Sequence, residues 1–315
     1  QYMELDGKQV VLYDYNRPSD GEVVFKAKGV IMSYLKKQGV KLNELDAIVG
    51  RGGLMRGIEG GTYIVNDNML KDLHSCQYGY HVCNLGGILA SEIGAELGKP
   101  AYVVDPPVVN EVADVAKLSG HPDFPRRALF HALNQKAIAK RFAEETGRPY
   151  ESLNLIVAHM GGGTSVGCHR QGKVVDVNNG LEGEGAFTGE RCGGLTALDV
   201  VKATLSGQWG TTYPEIRQEL CMRSGLVGHT GTNDGREITR RIAEGDKQAE
   251  LAYRTMAYQV SKEICALAAP LQGKVDAILL TGGFAYDQGL MGWIKEYVGF
   301  LAPVHVYPGE DEMLA

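Results

Sequence analysis

Leu155 to Asn179 reads LIVAHMGGGTSVGCHRQGKVVDVNN, and this stretch decides the fold. LIVAHM is a predicted strand, GGGTS a turn, SVGCHR a second strand, QG a second turn and KVVDVNN a third strand. The glycine turn Gly161, Gly162 and Gly163 therefore joins two strands. A P-loop needs Lys-Ser/Thr after its glycines and a helix opening there, and a dinucleotide fold needs GxGxxG running into a helix. Neither pattern is present. Taken alone, the residues leave two readings open. One is an ordinary glycine-rich hairpin. The other is an anion-binding nest whose amides converge on phosphate oxygens, with Thr164 and Ser165 adding hydroxyl donors.

Outward from this stretch, short β-branched runs recur at DAIV (46–49), TYIV (62–65), AYVV (101–104), AILL (277–280) and VHVY (304–307). Helical patterns lie between them, so the class is α/β. Two helices carry legible stops: Leu85, Leu89, Ile93 and Leu97 are followed by Gly98 and Pro100, and Leu133, Ile138 and Phe142 by Gly147 and Pro149. The longest helix is expected from about Ala249 to Leu271, with its apolar stripe in the core. AILLTGGFAYDQGLMGWI reads as a strand, a Gly282-Gly283 turn and a helix, an arrangement that suits the sugar and α-phosphate of a nucleotide. LDAIVGRGGL (45–54) and VDAILLTGGF (275–284) echo each other, which points to two halves built on one plan. The boundary is expected at Asp105-Pro106-Pro107, giving domains 1–105 and 106–315.

Composition bounds the function. A chain of 315 residues exceeds the size at which one core usually stops growing, and 44% hydrophobic residues suffice for two. A net charge of −6 argues against a nucleic-acid partner. Six cysteines without a CxxC pair argue against zinc and disulfide frameworks. No apolar run approaches the roughly 20 residues of a membrane span, and the opening QYMELDGKQV has no signal-peptide character. A soluble, cytoplasmic protein is the expectation. The 42 glycines, about twice average usage, cluster in turns that must approach something closely.

A β-hairpin nest together with a strand-GG-helix describes the nucleotide cleft of the actin-like ATPase and sugar kinase superfamily. Within it the sequence resembles the acetate and butyrate kinase family, and there the butyrate branch. The resemblance rests on GRGGL (50–54), GGTYIVND (60–67), HVCNLGG (81–87), PAYVVDPPVV (100–109), SGHPDFPRRALFHALNQK (119–136), VAHMGGGTS, VVDVNNGLEGEG (174–185), GLVGHTGTNDGREI (225–238) and LLTGGFA (279–285). It implies two related domains of ribonuclease H-like topology around a nucleotide cleft. It also implies ATP-dependent phosphorylation of a short-chain carboxylate to an acyl phosphate, with ATP/ADP and Mg²⁺ as cofactors, in a homodimer or higher homo-oligomer.

By motif position the resemblance makes Arg51 and Arg191 the arginines that face the carboxylate and the transferring phosphoryl, and His131 a hydrogen-bond donor to that phosphoryl. Asp105 would orient an arginine or Mg²⁺, His159 would support the glycine turn or line the site, and His81 would lie by the substrate. Asp234 and Arg236 belong to the block bordering adenine; Asn233 or Asp234 as a helix cap is the other reading. Glu312 stands near the family's magnesium-linked glutamate. Gly53 stands where acetate kinases carry a valine, and Phe130 precedes His131. The missing side chain at Gly53 would leave room for butyrate or a branched acid, so Gly53→Val would penalise butyrate more than acetate.

The family's first strand carries an Asn-Pro-Gly-Ser-Thr-Ser-Thr-like phosphate loop, and nothing in QYMELDGKQVVLYDYNRPSDGE matches it. The family's final helix is likewise cut off at Ala315. Flanking segments beyond these 315 residues are the expectation. The alternatives are acetate or propionate as acceptor, a sugar or polyol kinase of the same superfamily, and a non-catalytic nucleotide-binding regulator.

Overall fold

The computed structural model describes residues 2–5, 8–11, 21–79 and 81–310. Two compact units divide the chain, Gln1–Asn110 and Glu111–Ala315. Residues 106–110 stay with the first unit through local ties: Val109 bridges Ile58, and the Asn110 amide donates to Ile58 O at 2.8 Å.

In the first unit, strands β1 (Tyr2–Leu5) and β2 (Lys8–Val11) pair antiparallel. A separate three-stranded sheet holds β3 (Ile48–Gly50), β4 (Thr62–Ile64) and β5 (Ala101–Val104) in the order β3-β5-β4, with β3 parallel and β4 antiparallel to β5. The helix Asn84–Leu97 covers this sheet with Ile88, Ala90 and Ile93 buried, and Gly98 ends it in the left-handed conformation read from the sequence.

Asp72 shows how the first unit fixes its loops. Its buried carboxylate accepts from Arg56 Nε (2.7 Å) and Nη2 (2.9 Å) and from Gln77 Nε2 (2.9 Å). The Arg56 guanidinium holds the carboxyl down to about 2. A folded pKa below the unfolded value, about 3.9, means stability that is present above pH ~4 and lost as pH falls toward ~2. The thermal midpoint is therefore expected to drop between about pH 4 and pH 2, and Asp72→Asn to remove part of that acid sensitivity. An unchanged acid profile in the variant would refute the assignment.

In the second unit, β6 (Asn154–Met160), β7 (Thr164–Arg170), β8 (Lys173–Val177), β9 (Ala277–Gly282) and β10 (Val304–Pro308) form one sheet in the order β10-β9-β6-β7-β8. The first three strands are an antiparallel meander, and β9 and β10 add parallel to β6, the ribonuclease H-like arrangement expected from the sequence. The sequence echo has a structural counterpart. Each Asp-Ala-Ile strand runs parallel to a later neighbour, with Ile48 opposite Ala101 and Ile278 opposite Val304.

β6 has no polar face because both sides are covered. Ile156, Ala158 and Met160 pack under the helix Lys247–Leu267, through Tyr253, Met256, Val260 and Ile264. Leu155 and Val157 face the helix Ala132–Thr146, through Ile138, Phe142 and Ala143. The period of two puts His159 on this second face, at the end of β6. The long helix stops before the expected Leu271. Pro270 lacks an amide proton, and a 3-10 turn, Ala269–Leu271, follows instead.

Candidate phosphate site of the second unit and the arginine loop of the first

The glycine turn closes the β6–β7 hairpin. Gly161 N donates to Gly163 O at 2.9 Å, so that amide is spent inside the turn. The amides of Gly162 and Gly163 make no such bond among the described residues. None of the three glycines has the left-handed φ that an alternating nest requires. They are glycines for reasons of space. A Cβ at Gly163 would come within 2.6 Å of Gly180 O and 3.3 Å of Arg191 Nε, and one at Gly162 within 3.3 Å of Glu190 Oε2. The Arg191 guanidinium therefore lies on the bare backbone of the turn.

A second loop clasps the turn and fixes that arginine. Thr188 Oγ donates to Gly162 O and accepts from Arg191 N at 3.1 Å, and Glu190 N donates to Gly162 O at 3.2 Å. Arg191 Nη1 donates to Glu190 Oε2 at 3.2 Å, while Asn233 Nδ2 holds Glu190 Oε1 at 2.8 Å. Thr164 is buried, and its Oγ1 has no hydrogen-bond partner among the described residues.

Beside the turn, the imidazoles of His131 and His159 stack with centroids 3.8 Å apart and planes 14° from parallel. His131 precedes the helix Ala132–Thr146, and its Nδ1 lies 2.9 Å from Ser165 Oγ. Buried His159 places Nδ1 2.8 Å from Asn134 Oδ1, and its Nε2 lies 3.4 Å from Glu310 Oε1. The same two atoms, Glu310 Oε1 and His159 Nε2, lie nearest to where a Cβ on Gly161 would stand, each at 3.5 Å. Phe130 is fully buried.

At the other glycine pair, Gly282 has φ +91° and sits on the β6 backbone, where a Cβ would meet Met160 O. Nothing lies within 4 Å of the Cβ direction of Gly283, so this face of the turn admits a ligand. A 3-10 turn, Gly283–Tyr286, comes first, and the α-helix begins only at Gln288. Its N-terminus is already capped by the Asp287 carboxylate, which accepts from Leu290 N at 2.9 Å. An anion at this place would thus meet the 3-10 turn rather than the helix end. Asp234 is the cap of the helix Gly235–Ala243 and pairs Arg236 through Nε (3.0 Å) and Nη2 (2.7 Å).

In the first unit, Arg51 is exposed at the end of β3, ahead of the buried residues 52–55, and lies close enough to Cys83 to act on its thiol electrostatically. Burial nevertheless pushes that thiol up to about 12. His81 Nδ1 accepts from Cys83 N at 3.2 Å, which leaves the proton of the neutral ring on Nε2. Asp105 is buried at φ +39°, and its Oδ1 accepts from Gly61 N at 2.8 Å. Such a backbone is uncommon outside glycine and tolerated best by Asp and Asn.

The pocket expected at Gly53 is corrected. A Cβ there would stand 2.5 Å from Leu73 Cδ2 and 2.6 Å from Asn84 Cα, so the space of the missing side chain is taken by a helix N-terminus.

Glu312 lies outside the described residues. No group of three or more His, Cys, Asp or Glu side chains able to hold a metal occurs among the described residues. Magnesium needs only one or two carboxylates when nucleotide phosphates and waters complete its shell. Glu310, a part-exposed carboxylate at the glycine turn, suits that requirement. Sequence reading also passed over Glu190, Gln135 and Asn134, and took Ser165 only as a hydroxyl donor of the glycine turn. For Gln135 and Asn134 the one sequence signal was position, inside the block 119–136.

Comparison with known proteins finds relatives over most of the chain. The pattern of the acetokinase family matches residues 123–289. Butyrate kinase 2 of Clostridium acetobutylicum is 51% identical over 288 residues, covering 91% of this chain and 80% of the relative. A probable butyrate kinase of Clostridium botulinum is also 51% identical, covering 91% and 81%. Among solved structures, the Porphyromonas gingivalis acetate kinase superposes with a TM-score of 0.78 at 22% identity, covering 91% of this chain and 81% of that one. A propionate kinase from Francisella tularensis gives 0.75 at 20%, covering 93% and 82%. At those identities the structures establish the shared fold.

Proposed function

The chain belongs to the acetokinase family, and on that premise we propose that it phosphorylates butyrate, or a branched acid of four to five carbons, with ATP. The observation that carries the reading is a guanidinium, Arg191, fixed on the bare amides of Gly162 and Gly163 beside a histidine pair. Positive charge and N–H donors are concentrated where phosphates need them.

A carboxylate oxygen attacks the γ-phosphorus in line, the bond to the β–γ bridging oxygen breaks, and ADP leaves with that electron pair. The acceptor is already ionised near neutral pH, so no general base is needed, and catalysis is positioning and charge neutralisation. Arg191 and His131 serve the transferring phosphoryl from the second unit. The resemblance gives Arg51 the acceptor carboxylate, with Asp105 and His81 as neighbours on the same unit. Gly282 and Gly283 seat the nucleotide sugar and α-phosphate, and Asp234 and Arg236 border the adenine. When bound with the nucleotide and held by Glu310, magnesium supplies neutralisation of phosphate charge.

A second copy of the chain fits an exposed apolar stripe on the helix Ala197–Leu205, where Leu198, Val201 and Leu205 recur at spacings of three and four beside exposed Leu195. A homodimer or higher oligomer is the proposed assembly. No helix among the described residues is long and apolar enough to cross a membrane, and the cytoplasm is the proposed compartment.

The test is a coupled ADP-release assay with Mg²⁺-ATP and acetate, propionate, butyrate, isobutyrate or glucose. Highest kcat/KM with butyrate or isobutyrate is expected. Preference for acetate or propionate would overturn the acyl assignment, and ADP release without carboxylate dependence would overturn the kinase reading itself.

A further inference from the structure

We infer that a buried hydrogen-bond chain, Tyr150–His169–Gln135–Ser165, fixes the proton of His131 on Nε2 and so makes that histidine a standing hydrogen-bond donor. The inference rests on the proposed role of His131 at the phosphoryl group but concerns residues to which that role gives no part.

The chain is continuous in distance. Tyr150 Oη lies 2.7 Å from His169 Nδ1, His169 Nε2 3.0 Å from Gln135 Oε1, Gln135 Nε2 2.9 Å from Ser165 Oγ, and Ser165 Oγ 2.9 Å from His131 Nδ1. Gln135, Ser165 and His169 are fully buried. A route through the interior has been kept open for it: a Cβ on Gly167 of β7 would collide with Gln135 Oε1.

The direction of every proton follows from one atom that can only accept. Gln135 also lies 3.0 Å from the Ser165 carbonyl oxygen, so the side-chain atom facing Ser165 must be the nitrogen. Its Oε1 then faces His169 and must accept, which puts the His169 proton on Nε2. Burial pushes His169 down to about 3, so the ring is neutral and Nδ1 is bare. Tyr150 therefore donates to Nδ1. At the other end, Gln135 Nε2 gives one hydrogen to the Ser165 carbonyl and the other to Ser165 Oγ.

The hydroxyl of Ser165 has one proton and two lone pairs. Gln135 Nε2 occupies one lone pair, and the backbone amide of His131, 3.3 Å away, occupies the other. The single proton goes to His131 Nδ1. The neutral imidazole then carries its own hydrogen on Nε2, the nitrogen not used by Ser165. The opposite tautomer would set two hydrogens against each other at Nδ1 and leave the serine proton without an acceptor. Fully satisfied buried networks of this kind specify one arrangement because every alternative leaves a buried polar group unpaired.

Stacked His159 differs in the same terms. Its Nδ1 lies 2.8 Å from Asn134 Oδ1 and its Nε2 3.4 Å from Glu310 Oε1, so neither of its nitrogens meets a hydroxyl. Two imidazoles in face-to-face contact thus present Nδ1 to different side chains, Ser165 of β7 for His131 and Asn134 of the helix Ala132–Thr146 for His159. Ser165, Gln135, His169 and Tyr150 are positioning residues. They act through His131 and need not touch a substrate.

The test is ¹⁵N NMR of the full chain labelled at histidine, with the His131 signals assigned by His131→Gln. Wild type is expected to show a pyridine-like Nδ1 and a pyrrole-like Nε2 at His131. Ser165→Ala and Gln135→Met are expected to average the two signals and to lower kcat about tenfold with KM for ATP unchanged within about twofold. Tyr150→Phe, far from the phosphates, should shift the His169 signals. A wild-type proton on Nδ1 of His131 overturns the inference whether or not any variant folds, as does a tautomer unchanged in Ser165→Ala. Because the tautomer is read without substrate, its failure is separable from failure of the kinase assignment.

Discussion

Arg191→Ala is expected to lower kcat by on the order of 10³, the low end for an arginine that stabilises charge in phosphoryl transfer. The structure gives two reasons for a loss of this size. The guanidinium lies against Gly162 and Gly163, where phosphate oxygens are proposed to meet the open amides. It also faces Glu190, whose carboxylate stays in place without it because Asn233 holds the other oxygen. Removing the arginine therefore deletes a positive charge and exposes a negative one to the phosphates. Arg191→Lys keeps the charge but loses the planar group that can lie on a bare backbone, so an intermediate kcat is expected. Stability should change little, since the arginine's own bonds, to Leu181 O at 3.4 Å and Glu190 at 3.2 Å, are long. A kcat loss under about tenfold, with the variant folded, would remove Arg191 from the transition state.

The glycine turn also shows what a sequence can and cannot disclose. That Gly161 to Gly163 joins two strands was legible, because β-branched runs and turn residues are local signals. Every strand of the second unit lies where those runs placed it, and Gly98 and Gly147 end their helices as read. The reason for three glycines was not legible. It depends on Gly180 and Arg191, residues distant in sequence whose approach only the folded loop reveals. The partners of Ser165 and Gln135 were hidden for the same reason: a serine on a strand and a glutamine in a helix have no local pattern that shows which histidine they meet. Asp234 was ambiguous between cap and ligand contact, and it is a cap, since a carboxylate at that position satisfies the first amides of its helix. Family blocks located residues, and backbone geometry decided what each side chain touches.

Gly53→Val is the second large effect, and its outcome separates two readings of one residue. A pocket reading has the valine shorten the space for an acyl chain, penalising butyrate more than acetate. The structure turns the Cβ direction inward. Gly53 has no left-handed φ, so the cost comes from crowding alone. Leu73 Cδ2 at 2.5 Å is the end of a movable side chain, whereas Asn84 Cα at 2.6 Å is backbone at the first residue of the helix Asn84–Leu97. Shifting it would pull Asn84 Oδ1 from the Leu54 amide, 2.8 Å away, and Nδ2 from Gly79 O at 3.2 Å. Neighbouring Gly86 and Gly87 are equally crowded: a Cβ on Gly86 would reach Gly52 O at 2.8 Å, and one on Gly87 Leu73 Cδ1 at 2.6 Å. The helix has no slack in which to retreat. Overpacking of this kind typically costs 1–3 kcal/mol, and displaced backbone should carry the loss to about 3 kcal/mol or more. For a unit of this size that corresponds to a fall in melting temperature of roughly 10 °C or more. Butyrate and acetate turnover should decline together, because Arg51 moves with the same loop. If the variant instead melts within about 2 °C of wild type and loses butyrate turnover alone, Gly53 faces the acyl chain and the packing argument fails.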